Sequence, residues 1–140
     1  MKVTKAIREY ITEEIDDMFA PKLAEIKKEK DELQKQAVQH VMYYKKKCDE
    51  LNKEIENDFK ERTGYAYTTP YRSSRSIIEC NLYEDYVVSS NPKYKELREK
   101  EEALDNKREK SLRNTIAMLE LGGTKAELDE VLAQIKEELN

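Results

Sequence analysis

Apolar residues recur at helical spacing over two long segments of this chain, and a tyrosine-rich insert without that spacing, residues 62–91, separates them. Intervals of three and four residues place side chains on one face of a helix. The series before the insert is Leu23, Ile26, Leu33, Ala37, Val41, Tyr44, Cys48, Leu51, Ile55 and Phe59; the series after it is Tyr94, Leu97, Leu104, Leu112, Ile116 and Leu119. The pattern predicts an all-α fold, an antiparallel long-helix hairpin resembling a coiled coil, with the insert at its tip.

The first half of this single predicted helical domain contains two helices, residues 4–19 and 21–61. Thr4 is a candidate cap for the first helix. Pro21 predicts a break or a sharp kink after this helix, because the residue before a proline disfavours helical geometry. Gly64 is a candidate stop for the second helix.

The second half contains two more predicted helices, residues 92–121 and 125–139. Asn91 followed by proline is a typical helix start, and Thr124 begins a capping box. Laying the long helices antiparallel with Glu61 opposite Pro92 places Ile116 opposite Ala37. The two shorter helices are then expected to pack around the base of the hairpin.

The insert is predicted to be a small irregular or β-containing unit. The helical period disappears there, and β-branched and aromatic residues collect at 65–68, 76–80 and 83–88. Five of the nine tyrosines lie between Tyr65 and Tyr86.

The composition restricts the function classes. Charged residues make up 40% of the chain, but 26 basic and 30 acidic residues nearly cancel, and the periodic apolar series argues against disorder. A net charge of −4 is unlike that of a nucleic-acid coat or an anionic-membrane binder. No apolar run approaches the length of a membrane span, and the two cysteines do not form a secreted disulfide pattern. We expect a cytoplasmic protein.

Motifs for catalysis are missing from the sequence. The only histidine, His40, has no cysteine or histidine partners at zinc spacing, and no glycine-rich loop could hold a phosphate. The serines of the insert have no base at a predictable position. Close carboxylate pairs arise by chance among 30 acids. We expect no enzymatic activity, cofactor or metal.

The insert is the candidate binding site, because tyrosine and arginine dominate many protein interfaces. The predicted partner-binding residues are Tyr65, Tyr67, Tyr71, Arg72, Arg75, Tyr83 and Tyr86. The opposing interpretation is that these rings fold inward and plug the open end of the hairpin. Both interpretations, partner binding and inward packing, hold if alternate rings face opposite ways.

The sequence therefore favours a non-catalytic module that binds another protein through the insert, and the broad apolar faces favour a homodimer. One alternative is nucleic-acid binding, with tyrosines stacking on bases and Arg62, Arg72 and Arg75 contacting phosphates. Another is a structural scaffold whose function is the long helix itself.

A small, lysine-rich, helical chain without enzyme motifs resembles phage-encoded accessory proteins, including inhibitors of host defence systems. This resemblance covers the whole chain and depends on size, composition and helical character, not on a sequence motif. It implies a host protein as the partner and steric blocking as the mechanism.

Overall fold

A computed structural model of the protein describes residues 2–67 and 80–140, and 86% of these residues are helical. The four helices among them are α1 (Lys5–Thr63), α2 (Glu84–Ser89), α3 (Pro92–Glu120) and α4 (Lys125–Leu139). The all-α prediction is confirmed. Within the described ranges there is no β-strand, and the segment 83–88, predicted as extended, forms most of α2. Residues 68 and 76–79 of the other two extended segments lie outside the described residues.

Hydrogen bonds at the two ends of α1 explain where it begins and stops. The Ile7 amide donates to Thr4 Oγ1 at 3.3 Å, which satisfies one of the free amides of the first turn. At the other end Gly64 has φ of 77°, and its amide donates to the Lys60 carbonyl at 2.8 Å. That left-handed cap suits glycine, because a Cβ would be strained at this φ. Both predicted ends of α1 are confirmed.

The connections around α3 and α4 also follow local chemistry. The Lys93 amide donates to Asn91 Oδ1 at 2.9 Å, and α3 begins at the intervening proline. After α3, Gly122 has φ of 105° and the Gly123 amide donates to the Met118 carbonyl at 3.0 Å, a Schellman turn. Thr124 then accepts a hydrogen bond from the Glu127 amide and caps α4.

The predicted break at Pro21 is wrong, because α1 continues through it. Proline removes one amide donor and is costly inside a helix. Pro21 is exposed, whereas Phe19 is buried and Leu23 packs against the same apolar cluster. These two side chains, four residues apart, both reach that cluster only if the helical geometry is kept between them.

The described chain divides into two compact units, residues 1–30 with 95–140 and residues 31–94. Unit 1, the first of these, contains the N-terminal part of α1, most of α3 and all of α4. Its core contains eight buried apolar residues: Ile11, Ile15, Phe19, Leu119, Leu128, Leu132, Ile135 and Leu139. The three helices thus share one apolar interior.

Ion pairs in unit 1 give the register of α3 against α1. Arg8 bonds to Glu120 at 2.7 Å, and Arg108 bonds to Asp16 at 3.0 Å. The residue number of the α3 partner decreases, from 120 to 108, as that of the α1 partner increases, from 8 to 16, so the two helices are antiparallel. The predicted register, which placed Ile116 opposite Ala37, is wrong: α3 pairs with the beginning of α1, since that part does not fold back at the proline.

Unit 2, residues 31–94, contains the C-terminal part of α1 together with α2. Ala37 and Val41 are its buried apolar side chains on α1, and Asn52 is a buried polar one. Tyr94 and Leu82 are half-buried. No helix among the described residues combines the length and the apolar character needed to cross a bilayer.

Candidate functional site

The short helix α2 positions two of the predicted binding tyrosines. Tyr83 precedes it with extended backbone geometry, and Glu84 and Asp85 occupy its first turn, where negative charge is favourable. The Ser90 amide donates to the Tyr86 carbonyl at 3.0 Å and closes the helix. Within α2, Val87 is half-buried. The β-propensity of this segment is outweighed because a short helix leaves both of its valines half-buried while Tyr86 stays exposed.

A groove of about 340 Å³ lies between α1 and the segment that leads into α2. We call it the α2 groove. Its lining residues are Val38, Val41, Met42 and Lys45 from α1 and Leu82, Tyr83, Glu84 and Asp85 from the segment. The floor is apolar, and the rim carries one lysine and two carboxylates. Such a site suits one apolar side chain flanked by polar groups.

The described tyrosines of the predicted set differ in exposure. Tyr65, Tyr83 and Tyr86 are 74%, 68% and 67% exposed. Tyr67 is half-buried and packs edge-to-face on Phe59, with ring centroids 5.7 Å apart. The predicted Tyr71, Arg72 and Arg75 lie outside the described residues.

These tyrosines fall in two places along α1 rather than in one. Tyr65 and Tyr67 follow the C-terminus of α1, whereas Tyr83 lies beside Met42, near the middle of that helix. At 1.5 Å per residue, the helix between Met42 and its end at Thr63 is roughly 30 Å long. A small partner could therefore contact one group without the other.

Sequence reasoning missed a third aromatic group, on α1 itself. Met42, Tyr43 and Tyr44 are all more than half exposed. The signal was present, since the apolar face of α1 widens between Ala37 and Tyr44. From the sequence, the broad apolar faces favour a homodimer rather than a separate binding site. Leu51 and Ile55, which belong to the apolar series predicted for the second helix, are also exposed.

The rings of this α1 group are fixed by contacts with each other and with a lysine. Tyr43 and Tyr44 meet edge-to-face with centroids 5.2 Å apart. Lys47 Nζ lies 5.7 Å from the centroid of Tyr43, a cation–π distance. Tyr43, Lys46, Lys47 and Glu50 line a shallow hollow of about 220 Å³. A fixed ring loses less entropy on binding than a free one.

The two cysteines of the chain meet in unit 2. Cys48 on α1 faces Cys80 closely enough for a side-chain hydrogen bond, and both are half-buried free thiols. Burial raises the pKa of Cys48, and the hydrogen bond with Cys80 and the charge of Asp49 raise it further. Sequence reasoning did not predict this contact.

Other candidate groups do not gather into a reactive cluster. His40 is exposed on α1. In the ranges 2–67 and 80–140, no three residues among His, Cys, Asp and Glu are arranged to hold a metal ion. What the described surface offers is aromatic and apolar contact area.

Comparison with family models, with curated proteins and with solved structures found no match to this chain.

Proposed function

We propose that this chain is a non-catalytic interaction module that binds another protein through unit 2, with the α2 groove as the anchoring pocket. The observation that carries the proposal is the uneven distribution of large exposed apolar side chains. Among the described residues they are, in unit 2, Met42, Tyr43, Tyr44, Leu51, Ile55, Phe59, Tyr65, Tyr83 and Tyr86. In unit 1 the described residues contribute only Tyr10 and Leu121.

Concentrated apolar exposure of this kind is typical of interaction surfaces, whereas isolated exposed apolar residues are ordinary. Tyrosine suits such a surface because it offers a large ring with few rotatable bonds and a hydroxyl that tolerates water. Tyr83 lines the α2 groove on one side and Met42 on the other, and exposed Tyr86 follows the lining residue Asp85 on α2. A partner side chain seated in the groove would contact Tyr83 and Met42.

The experiment is affinity capture with three baits, using lysate of the cells in which the chain occurs. The baits are the wild type, the double variant Tyr83→Ser/Tyr86→Ser, and the control Tyr10→Ser, which removes an exposed tyrosine from unit 1. We expect one protein to be retained by the wild type and the control and lost by the double variant. Equal recovery by all three baits would contradict the assignment of the surface.

The groove itself is tested with the purified partner. Met42→Asp replaces an apolar lining residue by a carboxylate in a groove that already contains Glu84 and Asp85, so we expect the affinity to fall by at least tenfold. Met42→Leu keeps the apolar contact and should bind within about threefold of the wild type, since volume-conserving apolar changes are tolerated. Equal losses for both variants would argue against a groove contact.

The resemblance to phage accessory proteins adds a mechanism to this proposal. The partner would be a host protein, and the bound module would block it sterically. The activity of the purified partner should then fall as the module is added and recover with Tyr83→Ser/Tyr86→Ser. Binding without any change in activity would leave an interaction module that is not an inhibitor.

Nucleic-acid binding is the second candidate, because Lys46 and Lys47 lie beside the exposed ring of Tyr43. It predicts an affinity for single strands that falls steeply as salt is added. A gel-shift series at low salt with wild type and Lys46→Glu/Lys47→Glu tests it. No shift at the lowest salt removes this candidate.

The predicted homodimer stays a prediction. Light scattering after gel filtration, over a concentration series, measures it directly, and a mass of one chain at all concentrations would contradict it.

A further inference from the structure

The two cysteines of this chain are brought together by non-local packing within unit 2. Cys48 lies on α1, and Cys80 lies beyond the turn at Gly64, two residues before the segment that lines the α2 groove. Their side chains are in hydrogen-bonding reach. Leu82 and Tyr83 line the α2 groove together with Val41 and Met42, so the backbone that follows Cys80 lies beside α1. The thiols therefore meet as a consequence of the fold.

We propose that Cys48 and Cys80 form a reversible oxidation site, at which a peroxide converts the two thiols into one intramolecular disulfide. The disulfide would fasten the segment before α2 to α1. This inference is independent of the proposed function, because it concerns a covalent state of the chain and requires no partner.

The chemistry balances with a peroxide as the two-electron oxidant. One cysteine thiolate attacks the peroxide and becomes a sulfenic acid, and the first water leaves after protonation. The second thiolate attacks the sulfenic sulfur, the S–S bond forms, and the hydroxyl leaves as the second water. In sum, the thiols lose two electrons and two protons and hydrogen peroxide is reduced to two waters. A dithiol reductant reverses the change by thiol–disulfide exchange.

Partial burial of both thiols selects this outcome over competing ones. A small peroxide can enter a half-buried site, whereas a thiol of another protein molecule is hindered. The sulfenic acid also meets its partner thiol before a second peroxide, because the partner is already in contact. Burial raises the pKa of Cys48, so less thiolate is present at neutral pH and the reaction accelerates as the pH increases.

The test uses the whole chain, reduced and freed of reductant, at low micromolar concentration with a small excess of hydrogen peroxide. Intact mass should fall by two hydrogen atoms, and titratable thiols should fall from two to none. A proteolytic digest should contain a peptide pair joined through Cys48 and Cys80. Dithiothreitol should restore both thiols and the original mass.

Two matched variants complete the experiment. Cys48→Ser and Cys80→Ser each keep one thiol, and serine preserves the size of the side chain, so circular dichroism should match the wild type. Neither should lose two hydrogens; both should accumulate sulfinic acid or slow intermolecular dimers.

The proposal is overturned if the oxidised wild type gains oxygen on both sulfurs without a linked peptide, or if its only disulfide joins two molecules. It is also overturned if wild type and single variants lose thiols at the same rate. The wild-type mass measurement decides the matter even if a variant fails to fold.

Discussion

Replacing Pro21 by alanine should make the protein more stable, and the size of the gain reports directly on the continuity of α1. Pro21 is an exposed residue inside α1. Because proline has no backbone N–H, the carbonyl of Asp17 lacks the hydrogen-bond donor that it would have in a regular helix. Alanine restores an amide at this position. It adds no bulk, so the core around Phe19 and Leu23 is undisturbed.

The expected gain follows from the penalty for proline in a helix interior. Proline is about 3 kcal/mol less favourable than alanine there, and glycine about 1 kcal/mol less favourable than alanine. The Asp17 carbonyl can bond to water because this side of α1 is exposed, which reduces the recovered energy slightly. We expect Pro21→Ala to raise the free energy of unfolding by about 2–3 kcal/mol and Pro21→Gly by about 1–2 kcal/mol.

Urea denaturation followed by circular dichroism measures the gain. For a chain of this size, a gain of 2–3 kcal/mol shifts the midpoint by about 1–2 M. Lys22→Ala, a neighbouring exposed change, is the control and should stay within about 0.5 kcal/mol of the wild type. If the two units unfold separately, only the transition of unit 1 should shift.

The opposite result would show that the helix starts afresh at this residue. Proline is favoured at the first position of a helix, where its missing amide has no intrahelical partner. Pro21→Ala would then leave the midpoint unchanged or lower it. An order of stability other than alanine above glycine above proline refutes the continuous helix.

Three further predictions follow from the buried side chains and the thiol pair. Phe19→Ala should lower the free energy of unfolding by about 3–5 kcal/mol in urea titrations, because a fully buried ring leaves a cavity; a loss below about 1 kcal/mol would contradict its place in the core. A Cys48–Cys80 disulfide should raise the free energy of unfolding by about 3.7 kcal/mol, because it closes a loop in the unfolded chain. The gain should appear as a higher melting temperature that dithiothreitol reverses, and no increase would indicate strain in the bond. Burial raises the pKa of Cys48, so the contribution of this thiol to stability is complete below the ordinary cysteine pKa and is lost as the pH rises through the pKa of the folded state. The free energy of unfolding of the wild type should therefore fall more steeply above pH of about 9 than that of Cys48→Ser. Parallel curves for the two proteins would contradict this.

Helix ends were predictable because their causes are local. Thr4 and Asn91 each accept a hydrogen bond from an amide of the first turn, and Gly64 adopts the left-handed geometry that ends α1. Each depends on a few neighbouring residues that the sequence displays. The long amphipathic periods and the all-α class were predictable for the same reason.

Pro21 and the segment before Asn91 were not predictable, because non-local contacts decide them. The local cost of a proline is outweighed by the burial of Phe19, and by the packing of Leu23, in a core shared with α3 and α4. Likewise Tyr83 and Leu82 line the α2 groove together with residues of α1, and packing at this groove favours a helical turn over the extended geometry that valines prefer.

The candidate site was predicted only by residue type. Tyrosine enrichment identified Tyr65, Tyr83 and Tyr86, which are exposed. The same reasoning missed Tyr43 and Tyr44, because a helical period does not say whether another helix covers the face. Which tyrosines share a surface depends on the return path of the chain along α1, and the sequence does not encode that path locally.

Polar residues on the apolar stripes of α1 and α3 have a common explanation in the structure. Lys30 interrupts one stripe and Glu101 the other, and they are paired at 3.3 Å with side chains 18% and 35% exposed. Arg108, a second interruption on α3, bonds to Asp16 of α1, and this hydrogen bond raises the pKa of the guanidinium. Charges at stripe positions can select a helix register even where they add little stability.

A charge exchange tests this explanation. Lys30→Glu alone brings two carboxylates together and should cost about 1 kcal/mol, as should Glu101→Lys, since pairs of this exposure are partly screened. The double exchange recreates an ion pair in the same register and should return to within about 0.5 kcal/mol of the wild type, a clear non-additivity. The exposed pair of Arg8 and Glu120, exchanged in the same way, should show a smaller coupling. If the destabilisation of the Lys30/Glu101 double variant instead equals the sum of the two single destabilisations, the two residues are not coupled. The register of α3 must then be set by the apolar core alone.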